Sequence, residues 1–133
     1  MILKTNRITL AEFVPSDADF IIELVNTPGW ITYIGDRDIH DREAAEGYIQ
    51  TLQQGYKKDG FGLYKMLLNE SNAPIGMCGL VNRPDLDHPD IGFAILPEYE
   101  RKGYTTEAGH AMVELAKEQY KLTSLLGITI PDN

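Results

Sequence analysis

Two cations, a glycine, an aromatic ring and two hydroxyls follow one another at Arg101, Lys102, Gly103, Tyr104, Thr105 and Thr106, just after an apolar stretch that stops at Pro97. Such a run suits the capture of a phosphate group. The backbone N–H groups that open a helix, with the positive end of the helix dipole behind them, attract an anion without a dedicated side chain. Gly103 lets the backbone come close, Arg101 and Lys102 add charge, and Thr105 and Thr106 offer hydroxyls in the first turn. Behind them Ala108, Ala111, Met112, Leu115 and Ala116 recur at helical spacing, so one face of this helix is expected to press on a sheet.

The other residues with chemistry to offer are scattered. Cys78 is the single cysteine, which excludes an internal disulfide and a cysteine-based zinc site, and its apolar neighbours favour a buried thiol over a nucleophile. His40, His88 and His110 are spread out with no ligand spacing, and no metal site is expected. His88 lies close to Asp90 and reads either as a proton relay or, more plainly, as a solvated loop histidine.

Elements that would position the basic loop are legible along the whole chain. Residues 7–13 alternate as a strand, and Ser16, with Asp19 three residues on, reads as the capping box of a helix whose buried face is Phe20, Ile21, Leu24 and Val25. Thr27, Pro28 and Gly29 break it, and 30–39 is a loop or short helical turn. Asp41 caps a second helix with Ala45, Tyr48, Ile49, Leu52 and Tyr56 on its inner face, ended near Gly60. Strands are predicted at 61–68, 75–81, 90–96 and 124–130, with the helix from Tyr104 between the last two. This order predicts an α+β layer structure on a mixed sheet, its middle three strands an antiparallel meander and its last strand parallel to the one before.

The loop and its surroundings resemble the GNAT superfamily of N-acetyltransferases, whose coenzyme loop reads Arg/Gln-x-x-Gly-x-Gly/Ala and in one branch runs into a Thr-Glu-Ala helix start. Here the corresponding residues are Glu100-Arg101-Lys102-Gly103-Tyr104-Thr105, with the central Gly103 in place and Glu100 and Thr105 departing at the outer positions. Further runs are similar to the RimJ/RimL-like branch of ribosomal-protein and small-amine acetyltransferases. These are Asn6-Arg7-Ile8-Thr9-Leu10, Trp30-Ile31-Thr32-Tyr33-Ile34-Gly35-Asp36, Asp90-Ile91-Gly92-Phe93-Ala94-Ile95-Leu96-Pro97-Glu98-Tyr99 and Ile128-Thr129-Ile130-Pro131-Asp132-Asn133. The resemblance implies a mostly antiparallel central sheet with helices on both faces and a splayed parallel strand pair at the cofactor site. Acetyl-coenzyme A would lie there, contacting Phe93, Ala94, Ile95, Leu96 and the loop, with a further contact at Asn133.

The implied reaction is acyl transfer from a thioester to an amine. An amine with a pKa of about 10 is mostly protonated at neutral pH, so a base must take its proton first. Asp90, at the opening of its strand, is the candidate base, directly or through water; a plain strand-end carboxylate is the alternative. The carbonyl oxygen needs a preplaced donor, and the resemblance implies a backbone N–H among Phe93, Ala94, Ile95 and Leu96. Trp30, Tyr33 and Asn82 match positions near the acceptor cleft, with ordinary packing as the alternative for the aromatics.

Composition narrows the classes. With 133 residues the chain has room for one core, and 12 basic against 20 acidic residues give a net charge of −8. That charge repels nucleic acid, and no apolar run approaches the roughly 20 residues that cross a bilayer. Neither nucleic acid nor membrane is an expected partner, and with no signal-like start the cytoplasm is the expected setting. One domain is expected over 1–133. Its relatives continue with a helix and a last strand, so a C-terminal portion is expected beyond Asn133. Left without an outer neighbour, the strand at 124–130 would offer an edge to a second copy, which makes a homodimer one expectation. The functional expectation is an acetyl-coenzyme A dependent N-acetyltransferase acting on a primary amine in a ternary complex. Its rival is a non-catalytic acyl-coenzyme A binding or sensing module.

Overall fold

Alternating apolar residues make the sheet. Ile8 and Leu10 are buried while Thr9 and Ala11 are half-buried, the two-residue period of a strand with one face in a core. The computed structural model describes residues 2–33, 38–81 and 90–118. In chain order it has β1 (Leu3–Lys4), β2 (Ile8–Ala11), α1 (Ala18–Val25), α2 (Pro28–Tyr33), α3 (Arg42–Asp59), β3 (Leu63–Leu68), β4 (Pro74–Val81), β5 (Asp90–Ile95) and α4 (Tyr104–Glu118). The strands lie in sequence order, β1-β2-β3-β4-β5, every pair antiparallel. The expected meander is therefore β3, β4 and β5. The predicted strand at 124–130, and with it the parallel pair, lies outside the described residues.

Strand parity assigns the two faces. Tyr64, Met66, Cys78 and Leu80 share a core with Ala108 and Met112 of α4. Met77, Leu96 and the half-buried Leu63 and Ala94 pack instead with Phe13, Ile21, Leu24, Ala45 and Ile49, which places α1 and the first half of α3 on the opposite face. Cys78 is fully buried, and burial pushes its thiol up to about 12, so it stays protonated.

Two local rules decide the helix starts. Asp41 accepts from the Ala44 N–H at 2.8 Å and opens α3, and Gly60 closes it at φ 78 with its N–H on the Tyr56 carbonyl. The capping box expected of Ser16 and Asp19 does not form. Pro15 begins a 3-10 turn at once (Pro15–Asp17), so the carboxylate that reaches back is Asp17, taking the Val14 N–H at 2.9 Å. Asp17 also holds the Lys65 ammonium at 2.8 Å, tying this turn to β3. Asp19 faces outward and meets Arg42 at 3.3 Å.

The pairing of β3 and β4 shifts register at Met66/Leu67, and β4 carries glycines where neighbouring backbone comes closest. A Cβ on Gly76 would stand 2.2 Å from the Ala94 carbonyl oxygen of β5. One on Gly79 would stand 2.0 Å from the Gly62 carbonyl oxygen.

Candidate functional site

β5 leaves the sheet at Leu96, turns through a 3-10 segment (Pro97–Tyr99), and enters α4 across four residues, Glu100, Arg101, Lys102 and Gly103. The turn is closed by Tyr99 and Glu100 N–H groups on the Leu96 and Pro97 carbonyls, at 3.0 and 3.2 Å. Arg101 and Gly103 both adopt left-handed backbone, φ 62 and 81. Glycine takes that conformation freely, but for Arg101 it costs about 1–2 kcal/mol and must be held by its surroundings. Successive N–H groups around left-handed residues form a concavity for anions. The Gly103 carbonyl accepts from the Glu107 N–H at 3.0 Å, which sets the start of α4 at this loop. Arg101 and Lys102 are exposed, Tyr104 and Thr106 half-buried, and Thr105 fully buried.

A residue from the far end of the chain completes the loop. Arg7, between β1 and β2, donates from Nη1 to the Lys102 carbonyl at 2.9 Å and from Nε to Glu107 at 2.7 Å. Its guanidinium lies 4.6 Å from the centre of the Tyr104 ring, within cation–π range. The Arg7 N–H and the Thr5 hydroxyl donate to the same Glu107 carboxylate. Partial burial pushes that carboxyl up, but the hydrogen bonds from Thr5 and Arg7 and the guanidinium charge outweigh it, so it ionises below its ordinary range. Glu98, Glu100 and Glu107 stand against Arg7, Arg101 and Lys102 here, so the backbone N–H groups attract an anion more than any surplus of charge does.

The strand beside the loop has a directed edge. The Leu96 N–H donates to Ile75 of β4 at 2.8 Å, and the Ala94 carbonyl also faces β4. By strand alternation the N–H and C=O groups of Phe93 and Ile95 face the other way, along the edge at which no described strand pairs. The four expected coenzyme contacts thus divide: Phe93 and Ile95 present backbone to that edge, while Ala94 and Leu96 tie β5 to the sheet.

Asp90 opens β5 opposite Val81, as expected, at the end of the strand away from the basic loop. Trp30, in α2, is 5% exposed and packs among the α1 and α3 side chains, and its indole N–H has no hydrogen-bond partner among the described residues. A buried donor left so costs about 1–3 kcal/mol. Tyr33 ends the same short helix. Asn82, His88 and Asn133 lie outside the described residues. Arg7 and Glu107 are the residues that sequence reasoning missed as parts of the loop. The signal was present, since both fall in the runs Asn6-Arg7-Ile8-Thr9-Leu10 and Thr-Glu-Ala quoted above, but 100 residues separate them and nothing in either run points to the other.

Comparison with known proteins gives concordant results. The profile of the family described as "Acetyltransferase (GNAT) domain" matches residues 7–133. An uncharacterized N-acetyltransferase, YoaA of Bacillus subtilis (strain 168), is 26% identical over 135 residues, covering 99% of this chain and 75% of its own. A crystal structure of an acetyltransferase from Agrobacterium tumefaciens str. C58 superposes with a TM-score of 0.77 at 24% identity, over 92% of this chain and 70% of that one. RimL, a ribosomal L7/L12 α-N-protein acetyltransferase solved with coenzyme A, superposes with a TM-score of 0.71 at 14% identity, over 89% and 68% of the two chains.

Proposed function

This chain belongs to the acetyltransferase (GNAT) family, which implies acyl transfer from an acyl-coenzyme A, and from that premise we propose that it acetylates a primary amine by direct transfer in a ternary complex. The acceptor is a protein N-terminus or a small amine, and the branch is the RimJ/RimL-like one. The observation that carries the reading is the left-handed pair Arg101 and Gly103 feeding the start of α4, beside the edge of β5 at which no described strand pairs.

Acetyl-coenzyme A, the acyl-donor substrate, supplies a thioester carbonyl. The loop N–H groups with Arg101, Lys102 and Thr106 hold its pyrophosphate, and the residues present fit an anion, since left-handed Arg101 and Gly103 lie at the start of α4 with two exposed cations. The edge N–H groups of Phe93 and Ile95 hold the pantetheine arm and offer a donor to the carbonyl oxygen as charge develops there. Asp90 takes the amine proton, directly or through water, as the C–N bond forms and the C–S bond breaks with its electron pair leaving on sulfur. Trp30 supports an acceptor side near α2, because its buried indole N–H has no partner among the described residues. Support for coenzyme A as the donor comes also from RimL, of like fold, which was solved with it. No helix among the described residues is long and apolar enough to cross a membrane, in keeping with a cytoplasmic setting.

Calorimetric titration with coenzyme A, followed by release of its thiol over a panel of amines, tests the proposal. Binding together with turnover on some amine is the expected result. No binding at millimolar coenzyme A would sink the reading, and binding without thiol release from any amine would leave a binding module, the alternative that Glu100 and Thr105 favour by their departure from the family loop.

A further inference from the structure

Arg7 touches the loop at three points: Nη1 on the Lys102 carbonyl, Nε on Glu107, and the guanidinium face on Tyr104. We propose that Arg7 is a positioning residue for the coenzyme loop, holding the Lys102–Gly103 peptide so that its N–H faces the anion, with Glu107 as its anchor. This rests on the reading of that loop as a pyrophosphate cradle.

Peptide geometry makes the link. No peptide bond is cis among the described residues, and in a trans peptide the C=O and N–H point in opposite directions. With the Lys102 carbonyl held against the guanidinium, the Gly103 N–H is directed away from Arg7. A carbonyl bound to a cation also polarises its own peptide, which strengthens that N–H as a donor. The hold is needed because a flip of this peptide turns on ψ of Lys102 and φ of Gly103, and Gly103, at φ 81, is a glycine that takes either sign of φ freely. A flip at this peptide would turn a carbonyl oxygen toward the phosphate. Only a planar guanidinium spans the carbonyl and the carboxylate at once; an ammonium is a point charge. Gly103 fits the same device, since a Cβ there would stand 3.3 Å from Arg7 Nη2.

A simpler role would make Arg7 one more positive charge for the phosphates. The two roles differ in sign at Glu107. If charge is all that counts, Glu107→Gln removes a nearby negative group and tightens the binding of a polyanion. If Glu107 anchors the clasp, the same change weakens it.

The experiment titrates coenzyme A by calorimetry into the wild-type protein, Glu107→Gln and Arg7→Lys, each checked for fold by circular dichroism, and records the Gly103 amide resonance with and without ligand. Both variants are expected to bind about tenfold more weakly, as follows when the competent loop population falls to about a tenth. The Gly103 resonance should already be displaced in the ligand-free variants. Equal or tighter binding by Glu107→Gln, or equal binding by Arg7→Lys, overturns the proposal. Arg7→Lys keeps the charge and decides the matter if Glu107→Gln does not fold. Failure of the wild-type protein to bind overturns the coenzyme reading and this inference together, whereas wild-type binding with unaltered variants overturns this inference alone.

Discussion

A carboxylate that opens a strand and a guanidinium that closes a loop sit at opposite ends of one short path, from Asp90 along β5 to Arg101. The sequence made the basic end readable as a loop ahead of a helix, because Pro97 and Gly103 punctuate the apolar pattern on either side of it. It did not make Arg7 readable, because a contact between residues 95 positions apart leaves no local pattern. Asp90 belongs to the readable kind, and its role is testable. Asp90→Asn should lower turnover about a hundredfold or more at neutral pH, the usual scale for loss of a positioned base, with coenzyme affinity barely changed. The rate should recover as pH rises toward the amine's own pKa, since solvent then supplies the free amine. Normal turnover with an unshifted pH profile would assign the proton to another acceptor.

Helices and strands of this chain were legible wherever one rule acted alone. The inner face of α3 follows its period, and Asp41 and Gly60 bound it where side-chain capping and left-handed closure require. At the start of α1 two signals competed, and the fixed φ of Pro15 won over the serine that follows it. Strand β1 escaped notice because two residues carry no period. In β4 the glycines mark close backbone approach, a constraint that exists only once β5 is in place. Gly76→Ala tests it. The added methyl would stand 2.2 Å from the Ala94 carbonyl oxygen and 2.9 Å from the Ile95 Cα, so backbone rather than a flexible side chain must yield. A loss of about 3 kcal/mol or more in chemical denaturation is expected, at the upper end of ordinary overpacking. Because β5 carries the Phe93 and Ile95 edge, the folded fraction should also bind coenzyme A more weakly. Wild-type stability in this variant would mean that β4 and β5 lie farther apart than described.

Across the whole molecule, the start of the described chain and its last helix share an apolar core and meet at the Glu107 carboxylate on its rim. Glu107 on α4 takes donors from Thr5 and Arg7, which precede β2, so the first strands, the basic loop and the last described helix form one unit. Such a join makes stability depend on pH in a definite direction. The Glu107 carboxyl is held below its ordinary value of 4.5 in the folded protein, so the unfolded chain binds its proton more readily. Its contribution is therefore fully present above that value and is lost as pH falls through the lower folded one. Glu107→Gln should cost about 1–2 kcal/mol at pH 7, charge-assisted hydrogen bonds discounted for the half-exposed arginine, and lower Tm by roughly 3 to 6 °C. The gap between variant and wild type should then narrow steadily below pH 4.5. Thermal melts of both proteins between neutral pH and the onset of acid unfolding read this directly. A gap that stays constant down to the lowest measurable pH would mean that Glu107 acts through packing rather than charge, and that the Arg7–Lys102 contact and the shared core hold the two ends without it.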